Sequence, residues 1–164
     1  MVNAGIACAL ALGAVVLWPV AAVSQGLVTQ RNLSLPVAKA IAEGTLAECK
    51  SKGFNTAAAV VDRAGQIMVI LRDEQATAQQ AEMARRKAYT ARMFRISTLE
   101  FQKRTIDPTL TAQRDLVDIL ALGGGVPIQV GNETIGGVGS AGSSQDMDDA
   151  CARAGIAKVA DLLK

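Results

Sequence analysis

The segment Ala57-Ala58-Ala59-Val60-Val61 constrains the fold more than any other in this chain. A strand alternates its side chains between two faces, so a strand lying on water shows an apolar–polar alternation. Here the stretch from Thr56 to Asp62 is apolar on both faces. Such a strand is buried between two layers. The turn Arg63-Ala64-Gly65-Gln66 then closes a hairpin, with Gln66 to Arg72 as the partner strand. Small alanine side chains let helices approach closely on either side.

The flanking segments supply those helices. Ser34 suits an N-cap and Pro36 a first turn. Val37, Ala38, Ile41, Ala42, Leu46 and Cys49 recur at helical spacing, and Gly53 ends the pattern, which predicts a helix over Leu35–Lys52. Gln80–Arg95 is predicted helical, with Ala81, Ala84, Ala88 and Ala91 as a narrow stripe of small residues and Met83, Lys87, Thr90 and Phe94 beside it. Asp107-Pro108 breaks an irregular segment, and Leu110–Leu120 reads as a weak helix or turn region. Leu122–Gly125, Ile128–Val130 and Glu133–Gly139 read as strands, the last two joined by the turn dipeptide Gly131-Asn132. Ser143 or Ser144 caps a final helix with Asp146, Asp148 and Asp149 in its first turn. The expectation is a three-layer α+β domain around an antiparallel sheet of about five strands.

The first thirty residues of the 164-residue chain carry no charged side chain. Ala4–Val23 is almost wholly apolar, and Ala22-Val23-Ser24 places small residues before a cleavage point. This pattern predicts a secretory signal peptide over residues 1–24 and a periplasmic or secreted product. An uncleaved anchor is the alternative, since the apolar run approaches the roughly 20 residues that span a bilayer. Residues 25–33 read as an N-terminal extension and 34–164 as one domain. All 17 basic and 15 acidic residues lie beyond the signal, leaving a net charge of +2. That balance argues against nucleic acid or an anionic membrane as partner. Cys49 and Cys151 form an even pair in an exported chain, which favours a disulfide, with two buried thiols as the alternative.

The chain has no histidine. That removes Ser-His-Asp and Cys-His catalysis and histidine-bound metals. Gly137-Val138-Gly139-Ser140-Ala141-Gly142 matches G-x-G-x-x-G between a strand and a helix. No further strand follows to hold a ribose, and three aspartates crowd the helix start, so dinucleotide binding is not expected. Gly123-Gly124-Gly125-Val126-Pro127 lacks the Gly-Lys-Ser/Thr of a phosphate loop. It reads either as a chain reversal or as a backbone platform exposing N–H groups to a small ligand. Arg85-Arg86-Lys87 is a basic helical turn, a solvated face or a half-buried lysine ready to meet a carboxylate.

Five stretches together resemble the GlcG/HbpS family, whose domain also occurs at the C-terminus of some corrinoid adenosyltransferases. They are Ala58-Ala59-Val60-Val61-Asp62-Arg63-Ala64-Gly65, Arg86-Lys87-Ala88-Tyr89-Thr90-Ala91, the Gly123–Ile128 loop, Ile135-Gly136-Gly137-Val138-Gly139, and Asp148-Asp149-Ala150-Cys151-Ala152-Arg153-Ala154-Gly155. The resemblance implies a profilin-like antiparallel sheet with flanking helices, a homo-oligomer, and haem or corrinoid binding in some members. Similar sequences often read Gly-Pro-His-Thr after the second strand, whereas Gln79 stands here where histidine would fall. The resulting expectation is an exported small-ligand-binding protein, with haem as candidate cofactor and no histidine ligation. Its pocket is expected to be bordered by Arg86, Lys87, Tyr89 and Thr90 on one side and by Gly124, Gly125 and Pro127 on the other. Tyr89, Met83, Met93 or Lys87 are the candidate axial groups. A small-molecule isomerase or lyase using Lys87 and Tyr89, and a non-catalytic accessory subunit, are the competing readings.

Overall fold

In the computed structural model of the chain, residues 26–164 are described, and Arg31–Lys164 form one unit. The expected signal peptide and its cleavage point at Ser24 lie outside the described residues. Helix α1 (Leu35–Ser51) leads to strands β1 (Ala57–Val61) and β2 (Ile67–Arg72). Helices α2 (Ala78–Phe94) and α3 (Thr98–Arg104) follow, then a 3-10 turn at Thr111–Asp115. Strands β3 (Gly125–Val130) and β4 (Glu133–Ala141) and helix α4 (Gln145–Ala157) complete the main elements.

The sheet has the order β2-β1-β4-β3, with every neighbouring pair antiparallel. Its centre is therefore β1 and β4, and all five β1 residues are fully buried. Ala58 and Val60 face a cluster with Ala38, Ile41 and Ala42 of α1, Ala152 of α4, and Val126, Ile128 and Val138. Ala57, Ala59 and Val61 face the opposite way, onto Ala84 and Ala88 of α2. The two-faced apolar strand thus does what its sequence requires, with α1 and α4 on one side and α2 on the other.

The α2 side is unusually close. A Cβ added at Gly137 or Gly139 would collide with the carbonyl oxygens of Ala88 and Ala84. Backbone meets backbone there, which only glycine on β4 and alanine on α2 permit. On the other side the disulfide Cys49–Cys151 ties the end of α1 to α4, with Cα atoms 5.5 Å apart and 102 residues of separation.

Three local expectations are corrected. The sheet has four strands, because Leu122–Gly124 is a turn. Gly124 has φ 118°, which breaks the extended run just before β3. The segment after α2 is less irregular than expected, since Ser97 caps α3 by accepting from Glu100 N and Phe101 buries its ring against Phe94. At α1, Ser34 has cap backbone geometry without a side-chain hydrogen bond. Among the described residues no helix is long and apolar enough to cross a membrane.

Candidate functional site

Helix α2 carries most of the residues expected to border a ligand. It starts with a capping box, Thr77 accepting from Gln80 N while the Gln80 side chain accepts from Thr77 N. The alanine stripe then presses it onto β1 and β4, which fixes where its basic turn lands. Lys87 is driven to the sheet and is 1% exposed. Its Nζ donates to Ser140 O and to Asp148 Oδ2, both at 2.8 Å. Asp148 Oδ1 in turn accepts from Ser143 Oγ at 2.7 Å, Ser143 N at 3.2 Å and Ser140 Oγ at 3.3 Å. Burial lowers the Lys87 ammonium from its ordinary value, and the Asp148 carboxylate opposes that shift.

This corrects the expectation of a half-buried lysine. The amine is enclosed and committed to an internal carboxylate. The neighbouring residues are also engaged in holding the chain together. Arg86 donates to Ile119 O at 2.7 Å. Thr90 Oγ1 donates to Arg86 O and accepts from Leu120 N at 2.9 Å. Tyr89 and Met93 pack over Gly65 in the β1–β2 turn. Arg85 pairs with Glu82 and Asp118, which raise its guanidinium further. Met83 packs against the α2 side of the core.

The glycine run meets α2 and not open space. A Cβ at Gly124 would strike Asp148 Cβ and Ser140 O and lie 2.9 Å from Lys87 Nζ, while one at Gly125 would strike the Lys87 carbonyl. Two of the amides expected to face a ligand are satisfied within the fold: Gly123 N donates to Gln145 Oε1 and Gly125 N to Thr98 Oγ1, each at 2.8 Å. Of the seven residues expected to border the pocket, Pro127 is the one that lines the two clefts along β3. It sits on β3, an edge strand, where a missing N–H is tolerated. A cleft of about 310 Å³ is lined by Val126, Pro127, Gln129, Arg153, Ile156 and Ala157. A second, of about 240 Å³, shares Val126, Pro127, Gln129 and Arg153 and extends to Arg95, Ser97 and Glu100. Arg153 Nε is held by Asp149 Oδ2 at 2.6 Å, which leaves the rest of a half-exposed guanidinium at the rim.

A further cavity of about 390 Å³ lies at the far end of α2, lined by Arg31, Arg63, Arg92, Arg95, Asn132, Glu133 and Thr134. The sequence reading did not single out these arginines. Among the described residues no group of three or more cysteines, aspartates or glutamates is placed to hold a metal ion.

The model of the family described as "Haem degrading protein HbpS-like" matches residues 33–157. The chain belongs to the HbpS-like family. The structure of HbpS from Streptomyces reticuli, solved as a double mutant, is 34% identical, with a TM-score of 0.78 over 86% of this chain and 96% of that one. Two solved structures of lower identity share the HbpS-like fold. The Klebsiella pneumoniae protein ORFY is 22% identical with a TM-score of 0.77, covering 82% of this chain and 95% of that one. The protein PduOC in complex with haem is 24% identical with a TM-score of 0.70, covering 77% of this chain and 94% of that one. No curated protein matches the chain.

Proposed function

We propose that this HbpS-like chain is an exported, homo-oligomeric protein that binds haem or a related tetrapyrrole without histidine ligation. The observation that carries the reading is the pair of clefts along β3. Val126, Pro127, Ile156 and Ala157 offer apolar surface for a macrocycle face, and Arg95 and Arg153 stand where propionates could be met. The family description, and the haem in the PduOC complex, point to the same ligand class. The oxygen donors at the clefts are Ser97, Glu100 and Gln129, so axial ligation is expected to be weak and affinity modest. A haem bound here would supply its iron and its visible absorption.

Lys87 and Tyr89 support the isomerase or lyase reading poorly, because the Lys87 amine is sealed behind α2. The test is titration of the mature protein with haemin, followed at the Soret band. Saturable binding is expected, weakened by Pro127→Asp and by Arg153→Glu. Binding that is non-saturable, or equal in both variants and the wild type, would favour the accessory-subunit reading.

A further inference from the structure

The cavity at the end of α2 is built from cations that originate in separate parts of the chain. Arg31 precedes α1, Arg63 lies in the β1–β2 turn, Arg92 is in the last turn of α2, and Arg95 is its C-cap. Glu133 is the single carboxylate lining the cavity, and it is already shared, accepting from Arg31 Nε at 3.0 Å and from Arg63 at 2.5 Å. Four guanidiniums against one carboxylate leave a concentrated positive potential in a concave site.

Arg92 is the least compensated of them. Its Nε is buried with no hydrogen-bond partner among the described residues. Burial lowers its guanidinium from the ordinary value, the charges of Arg63 and Arg95 push the same way, and Asp62 opposes them. Asp62 is itself occupied, since its Oδ1 accepts from the Ala64 and Gln66 amides. Close packing of Gly137 against Arg92 Cβ holds the arginine at this spot. Arg95 adds a second sign of cost. Its φ is 59°, a left-handed conformation that helix C-caps usually give to glycine. Cations at a helix C-terminus do favour the dipole. That accounts for Arg92 and Arg95 as charges. It does not account for the convergence of Arg31 and Arg63, nor for the orphaned Nε.

We infer that this cavity is a binding site for a small multivalent oxyanion, a polycarboxylate or a phosphate, held by the guanidiniums of Arg63, Arg92 and Arg95 with Asn132 at the rim. Guanidinium forks match both carboxylate and phosphate geometry. Every residue lining it is charged or polar, so it offers no apolar surface to a macrocycle face, and it is distinct from the β3 clefts, with which it shares Arg95 alone.

The experiment is calorimetric titration of the full chain with citrate and with inorganic phosphate, at matched ionic strength. At least one of the two should bind saturably, and their comparison separates the carboxylate from the phosphate form of the site. Arg92→Gln and Arg63→Gln should each weaken binding at least about tenfold. Lys103→Gln, an exposed charge on α3, should leave it unchanged. Arg92→Gln should also leave haemin titration unchanged, so that failure here and failure of the haem reading can be told apart. The inference is overturned if neither anion saturates at millimolar concentration. It is equally overturned if folded Arg92→Gln and Arg63→Gln proteins bind like wild type, or if Lys103→Gln weakens binding as much as they do.

Discussion

Lys87 Nζ lies 2.8 Å from Asp148 Oδ2, and the two side chains are 1% and 3% exposed. The pair joins the middle of α2 to the start of α4 across the end of β4, so it connects the two helical layers through the sheet. Removing one member leaves the other charge buried. Lys87→Met should therefore destabilise the fold by about 3–5 kcal/mol, and the double variant Lys87→Met with Asp148→Leu should recover much of that. Denaturant unfolding of the single and double variants measures both. Equal loss in the two would show that the partner charge is not the cause.

The backbone contact between α2 and β4 yields a sharper expectation. Gly139→Ala sets a methyl against the Ala84 carbonyl, with no flexible side chain to move aside. A loss of about 1–3 kcal/mol or more is expected. Gly131→Asn serves as the comparison. That turn glycine has φ 58° with nothing near its absent Cβ, and asparagine tolerates such a conformation, so the cost should stay below about 1 kcal/mol.

The Cys49–Cys151 bond closes a long loop, and in the chain-entropy treatment a loop of this size contributes roughly 4–5 kcal/mol. Cys49→Ser with Cys151→Ser should lower the unfolding midpoint accordingly. The oxidised wild type, once denatured, should show no reactive thiol from this pair.

Acid should weaken the fold through specific carboxylates. Glu133 lies below its usual 4.5 because of Arg63 and Arg31, and Asp118 lies below its usual 3.8 because of Arg85. Carboxylates depressed in the folded state contribute stability above their unfolded values, and that contribution is lost as pH falls through the folded ones. The melting temperature should accordingly drop below about pH 4.5, and Glu133→Gln should make that acid limb shallower.

The proposed export makes a separate expectation. The mature protein should begin at Gln25, which intact-mass measurement of the exported product decides. A product retaining Met1 on the membrane would support the anchor instead.

The architecture was legible where local pattern and burial agree. Ala57–Val61 announced burial on both faces, and Gly131-Asn132 announced the β3–β4 hairpin. The surplus strand arose because Leu122 before three glycines resembles a β run, whereas the positive φ at Gly124 turns the chain there. Helix α3 was readable in principle from Ser97 and Glu100, three apart, as was the Thr77–Gln80 box. The site was less legible, for a physical reason. Lys87 and Asp148 are 61 residues apart, and a lone basic turn in sequence does not say whether its lysine meets solvent, ligand or a buried carboxylate. The arginine cavity is assembled from four separate segments, so no spacing rule reveals it.

The two faces of the sheet differ in thickness, and mutational drift should follow that difference. On the α1–α4 side, valines, leucines and isoleucines interlock, and exchanging one for another of similar volume can be absorbed by its neighbours. On the α2 side there is almost no side-chain layer to absorb anything. A single added methyl there must shift a whole helix, and with it Arg92. Variation among descendants of this chain should therefore accumulate on one side of the sheet while the other stands nearly still.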